Sequence, residues 1–102
     1  MTHPAQRLDD TVHQRVRLGI LAVLSEVRRA DFGYLRGALE LTDGNLSRHL
    51  TVLEQAGLVE VEKGFEGRRP RTWVVATPAG RKALQDEMHA LRELISRIDG
   101  GH

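Results

Sequence analysis

The chain has 102 residues, 40% of them apolar and 28% charged, which suits one small domain with a thin core. Fifteen Lys+Arg against fourteen Asp+Glu leave a formal net charge of +1, so a grip on nucleic acid would require the charges to be segregated onto one face. The absence of cysteine excludes disulfides, thiolate metal sensors and cysteine nucleophiles, and no apolar run has the length of a membrane span or a signal-peptide core, so the expected setting is the cytoplasm, with no membrane partner.

Residues 1–10, with Pro4 among polar neighbours, read as a flexible N-terminal arm. Thr11 and Gln14 have capping-box spacing for a helix running to about Val27. Its apolar stripe, Val12, Val16, Ile20, Val23, Leu24 and Val27, marks it as scaffold. Arg28 and Arg29 close it, where positive charge complements the helix dipole, and Arg15 and Arg17 read as solvated or paired charges. Asp31 can cap a short second helix, Phe32 to Glu40, with Phe32, Leu35 and Leu39 facing inward.

Only Leu41 and Thr42 then precede the stretch around which the chain is organised, a helix marked at both ends. Thr42 can cap its free amides, Leu41 and Leu46 can staple its first turn, and Gly57 can turn left-handed after its last residue. Leu46, Leu50 and Leu53, with Ala56, form its buried stripe, so Asp43, Gly44, Ser47, Arg48 and Thr51 point outward. A join this short makes the two helices cross steeply, as in a helix-turn-helix. Leu58 to Lys63 alternates as a strand, Gly64 to Pro70 forms an arginine-bearing loop, and Thr72 to Ala76 is the return strand, which together make a wing. Val59 and Val61 share the inner face with Val74 and Ala76, leaving Trp73 on the other face or at an edge, covering neighbouring loops. Thr77-Pro78 opens a last helix, with a cap and a proline at its first position. Leu84, Met88, Leu91, Ile95 and Ile98, with Ala83 and Leu94 beside them, form a two-heptad seam suited to a twofold mate, to folding back on Val16 and Ile20 of the same chain, or to both. Gly100-Gly101-His102 reads as a frayed end.

Several of these segments carry a family resemblance: Arg17-Leu18-Gly19-Ile20-Leu21, Asp31-Phe32 with Leu35, Leu41 to Leu50, Leu53 to Val59, and Thr77-Pro78-Ala79-Gly80-Arg81. In this order the chain resembles the winged helix-turn-helix transcriptional regulators, close in pattern to the MarR- and ArsR-like repressors, over roughly residues 12 to 98. The expected fold is mainly α with a small β-hairpin wing (α+β), ending in a long C-terminal dimerisation helix. Residues 11–76 would form the DNA-binding part, with the helix-turn-helix at 31–57 and the wing at 58–76, and residues 77–99 the dimerisation helix of the same compact unit.

In a helix-turn-helix, the start of the second helix meets base edges and its flanks meet phosphates. The DNA-binding candidates there are Thr42, Asp43, Asn45, Ser47, Arg48, His49 and Thr51. Asn45 carries an amide that can pair with adenine, and Arg48 a fork that can pair with guanine. Ser47 and Thr51 can hydrogen-bond to base or phosphate, Thr42 and the free amides can hold a phosphate, and Asp43 can accept a cytosine amino proton. His49 resembles the histidine of the Ser-Arg-His-Leu pattern in related regulators, where packing and a phosphate contact both fit. In the wing, Arg68, Arg69 and Arg71 suit a phosphate backbone or a minor groove, against the opposing field of Glu62 and Glu66.

The histidines His13, His49 and His89 lie in three separate helices without metal-ligand spacing, and no glycine-rich phosphate loop follows a strand, so neither an enzyme nor a cofactor is expected. The reading is a homodimeric regulator, a repressor by resemblance, that binds double-stranded DNA at a pseudo-palindromic operator. A small-molecule effector, where one exists, would sit between the dimerisation helices and the DNA-binding lobe. The other reading compatible with the sequence is a winged-helix protein-protein interaction module that binds no specific DNA.

Overall fold

The computed structural model describes residues 2–100, so Gly101 and His102 of the expected frayed end lie outside the described residues. A 3-10 turn, Pro4–Arg7, leads to helix α1 (Arg15–Glu26), strand β1 (Ala30–Asp31), helices α2 (Phe32–Ala38) and α3 (Asp43–Gln55), strands β2 (Val59–Glu66) and β3 (Arg69–Ala76), and the long helix α4 (Pro78–Ile98). The expected mixture of helices and a small antiparallel wing is the observed architecture. The sheet has three strands in the order β1-β3-β2, one more than the hairpin that alternation alone reveals. Ala30 pairs with Val74 and Asp31 with Trp73, so the free edge of β3 is capped by a strand too short to leave a periodic signal.

Local chemistry accounts for the helix ends. Thr42 Oγ1 accepts the Asn45 amide at 3.1 Å, and Thr77 Oγ1 accepts that of Gly80 at 3.0 Å. At the end of α3 the Leu58 amide donates to the Leu53 carbonyl and that of Gly57 to Glu54, both at 2.9 Å, with Gly57 at φ +76°. This is the Schellman arrangement, which satisfies the last carbonyls of the helix. Helix α2 closes in the same way and earlier than expected, at Ala38, because Glu40 adopts φ 54° while the Leu41 amide reaches the Arg36 carbonyl at 2.9 Å. Helix α1 starts at Arg15 instead of Thr11: Gln14 is its cap, its side chain accepting the Arg17 amide at 2.9 Å.

The core gathers Val12, Val16, Ile20, Leu21 and Leu24 from the first helical region, Leu35 from α2, Leu46, Leu50 and Leu53 from α3, and Val59 and Val74 from the sheet. Helix α4 enters it through the start of the expected seam, Leu84 with Ala83 beside it, and through residues off the seam. Its buried residues are Gly80, Glu87 and Ala90, with Ala83 and Leu84 packed against the core, while Met88, Leu91 and Leu94 are half-buried and Ile95 and Ile98 are 53% and 74% exposed. Small residues permit close approach. A Cβ on Gly80 would stand 2.0 Å from the Leu58 carbonyl oxygen, so α4 meets the start of β2 there at backbone contact.

The first residues are held along α4, where a loose arm was expected. Pro4 is buried, Arg7 pairs with Glu93 at 2.8 Å, and the Asp9 amide donates to Glu87 at 3.0 Å. Glu87 is only 1% exposed, and His13 Nδ1 reaches its other carboxylate oxygen at 2.7 Å. A buried carboxylate requires donors, and residues 9–13 supply them.

Candidate nucleic-acid interface

Helix α3 presents a polar face shaped by its own periodicity. With Leu46, Leu50 and Leu53 turned into the core, Asp43, Asn45, Ser47, Arg48 and Thr51 are exposed beside the exposed cap, Thr42. Two of these candidates already have partners. Asp43 is bound to Arg36 of α2 at 2.5 Å, which moderates the negative charge at the tip of the helix and holds the Arg36 guanidinium more firmly protonated. Arg48 donates from Nη2 to the Asn45 Oδ1 at 2.8 Å, which leaves the Asn45 amide hydrogens free and its oxygen occupied. Thr51 donates to the Ser47 carbonyl at 2.9 Å, the common back-bond of a helical threonine.

His49 lies apart from this face, half-buried and turned toward α1. Arg17 Nη1 stands 3.2 Å from its Nδ1, while Arg17 Nε donates to the Thr11 carbonyl at 2.6 Å. Arginine has only donors, so Nδ1 is the acceptor and the imidazole proton resides on Nε2. Burial, then the charges of Arg17 and Arg48, push the His49 pKa below the usual histidine value. Arg17, expected as a solvated or paired charge, is instead a half-buried tether whose partners are backbone carbonyls and His49, joining residues 10–11 and α1 to the back of α3.

The wing separates its charges by face. Along the pairing register, Val59, Val61, Lys63 and Phe65 lie opposite Ala76, Val74, Thr72 and Pro70, and this side carries no carboxylate. Glu60, Glu62 and Glu66 lie opposite Val75, Trp73 and Arg69 on the other side, with Arg71 opposite Gly64. Glu62 and Glu66, expected to oppose the field of the wing, therefore face away from the Lys63 side. Arg71 lies among them, 3.3 Å from Glu66 and 3.6 Å from Asp31, and its Nε is buried without a partner among the described residues. Arg68 and Arg69 are exposed at the tip and make no ion pair among the described residues. Trp73 occupies the middle of the acidic side with the Arg29 guanidinium 3.8 Å above its ring, the covering role expected of it.

Between helix and wing runs an open groove of about 430 Å³, bordered by Ser47, Thr51 and Glu54 on one side and by Val61, Lys63 and Thr72 on the other, with Phe32 and Leu50 at its floor. The polar face of α3 and the carboxylate-free side of the wing thus adjoin one concave surface. Sequence reasoning missed Lys63, whose signal was its place on the Val59–Val61 face of β2. It also missed Glu87, a lone acid within the apolar stripe of α4. Among the described residues no three His, Asp or Glu side chains converge as a metal site, and no helix is long and apolar enough to cross a membrane.

Comparison with known proteins places this geometry in context. The family model described as a winged helix DNA-binding domain matches residues 16–95. An uncharacterised protein of Methanocaldococcus jannaschii is 38% identical over 84 residues, spanning 82% of this chain and 91% of that protein. The structure of a transcriptional regulator homologue from Pyrococcus horikoshii superposes with a TM-score of 0.88 at 34% identity, covering 97% of this chain and 99% of that one. The transcriptional regulator BldR of Sulfolobus solfataricus superposes at 0.71 with 27% identity, over 83% of this chain and 60% of that one.

Proposed function

The chain belongs to the winged helix DNA-binding domain family, and from that premise we propose that it is a sequence-specific transcriptional regulator acting as a homodimer on a pseudo-palindromic operator. Membership of a family of DNA-binding regulators also separates it from enzymes. The observation that carries the proposal is the concave surface shared by α3 and the wing, bordered by Ser47 and Thr51 on one side and by Lys63 and Thr72 on the other, with Asn45 and Arg48 exposed on the same helix and Arg68 and Arg69 exposed at the wing tip. Helix α3 enters a major groove, its Thr42-capped first turn set against a phosphate, and the wing follows the backbone outward.

Dimerisation is supported by α4. Its small residues pack on its own chain, while Met88, Leu91, Leu94, Ile95 and Ile98 keep apolar surface available for a mate. Twofold symmetry then sets the two recognition helices about 34 Å apart, one turn of B-DNA. A dimer covering its operator would act as a repressor by excluding polymerase, in the cytoplasm where the chromosome lies. An effector, where one exists, would act by changing the distance between the two reading heads.

Selection of bound duplexes from a random-sequence pool tests this reading, followed by affinity measurements against salt. An enriched inverted repeat and a steep negative salt slope are expected, with Arg48→Glu and Arg68→Glu abolishing binding. A pool that yields no motif, with only weak binding at low salt, would instead favour a protein-interaction module.

A further inference from the structure

Phe65 is an anomaly in the wing. It is 73% exposed, the barest aromatic side chain described, and it stands near the end of β2 where a polar residue would keep the tip hydrated. Its cross-strand neighbour is Pro70, also exposed, so the two make an apolar point, with Arg68 in the adjoining turn and Arg69 on the opposite face of the strand. By strand alternation the ring shares the face of Val61 and Lys63, which border the groove beside α3, and this face carries no carboxylate.

We propose that Phe65, supported by Pro70, is an apolar wedge that enters the minor groove of the bound duplex next to the major groove occupied by α3. The proposal rests on the DNA-reading function and adds a second reading element to it. Dimension and charge both favour this occupant. Phe65 lies four residues beyond Val61 along β2, about 13 Å at the usual strand rise. The neighbouring minor groove lies about half a helical turn, roughly 17 Å, along the duplex axis from the major groove. An aromatic ring presented edge-on fits a groove about 6 Å wide, while Arg68 and Arg69 can meet the phosphates on its walls. Apolar side chains entering the minor groove part-open a base step and bend the duplex, which is easiest at pyrimidine–purine steps. Phe65 would therefore impose a preference for such a step on the outer flank of each half-site, where no side chain of α3 reaches.

The test uses the full chain and the duplex selected above, carrying 2-aminopurine at the flanking step. Affinity, salt slope, 2-aminopurine emission and bend angle by circular permutation are compared for the wild type, Phe65→Ala and Phe65→Leu. Phe65→Ala should weaken binding about tenfold, abolish both the brightening of the probe and the bend, and leave the salt slope unchanged, because no phosphate contact is lost. Phe65→Leu, still apolar, should keep most of the bend. Unchanged affinity and bend in Phe65→Ala would overturn the wedge, as would a loss of affinity accompanied by a flatter salt slope, since the ring would then serve only to position the arginines. A wild-type protein that selects no duplex would overturn the DNA-reading function itself, and the wedge with it. Because Phe65 lies outside the core, all three proteins should melt together.

Discussion

Asn45 and Arg48 are both suited to base edges, yet their mutual hydrogen bond sets a rank between them. The bidentate pairing of asparagine with adenine uses both its oxygen and its amide, and in the free protein the oxygen is taken by Arg48. Arg48 has other donors to offer while keeping that bond. Arg48→Ala should therefore weaken operator binding by about 1–3 kcal/mol and relax the preference at one base pair, whereas Asn45→Ala should cost less, which a binding titration on single-base operator variants would resolve. His49 leads to a different expectation. Its folded pKa lies below its unfolded value, so the unfolded chain binds the proton more tightly and acid favours unfolding. The penalty is absent above about pH 6.5, where both states are neutral, and develops as pH falls from there through the lower folded value. His49→Gln should therefore lose less melting temperature than the wild type between neutral and mildly acid buffer.

The elements join at two tight places that respond to single substitutions in opposite senses. Glu40 holds the left-handed position after α2, a conformation that costs a side-chain-bearing residue energy and a glycine little. Glu40→Gly should raise stability by about 1 kcal/mol in urea denaturation, without touching α3. Gly80→Ala should do the reverse. Its methyl group would collide with the Leu58 backbone, so α4 would have to part from β2 at a cost of about 3 kcal/mol. The helix boundaries around α3 and α4 were legible in the sequence because caps such as Thr42, Gly57 and Thr77-Pro78 act on residues three or four positions away. What was not legible depends on partners distant in the chain. β1 exists because β3 has an edge to cover, and residues 4–13 lie down because Glu87, more than seventy positions later, is buried and needs donors. The apolar seam of α4 was legible, but the choice between its own domain and a mate was left open: periodicity identifies an apolar face, whereas the small residues Gly80, Ala83 and Ala90 decide which face meets the domain. In the candidate interface, strand register places Arg69 and Arg71 on one face, and it is the pairing of Arg71 with Glu66 and Asp31 that sets it apart from Arg68 and Arg69, which composition alone treats as equivalent.

At the scale of the whole molecule, the outer end of α4 would determine, in the proposed dimer, how many recognition helices reach DNA together. Ile95→Asp combined with Ile98→Asp places charge on the two exposed large apolar residues of that helix without entering the core. Sedimentation should then report a monomer, and operator affinity should fall by about 100-fold or more as the second half-site ceases to be held by linkage. A double variant that still sediments as a dimer would move the interface elsewhere. The stacking of Arg29 on Trp73 has a practical consequence of its own. The chain contains one tryptophan, and it sits in the central strand of the wing sheet beneath a cation supplied from the end of α1. Its emission therefore reports on the sheet and its attachment alone, while far-ultraviolet circular dichroism reports mainly on the four helices. Coincident melting by the two signals would mark a single cooperative unit, and an earlier change in emission would mark a wing that opens before the helices give way.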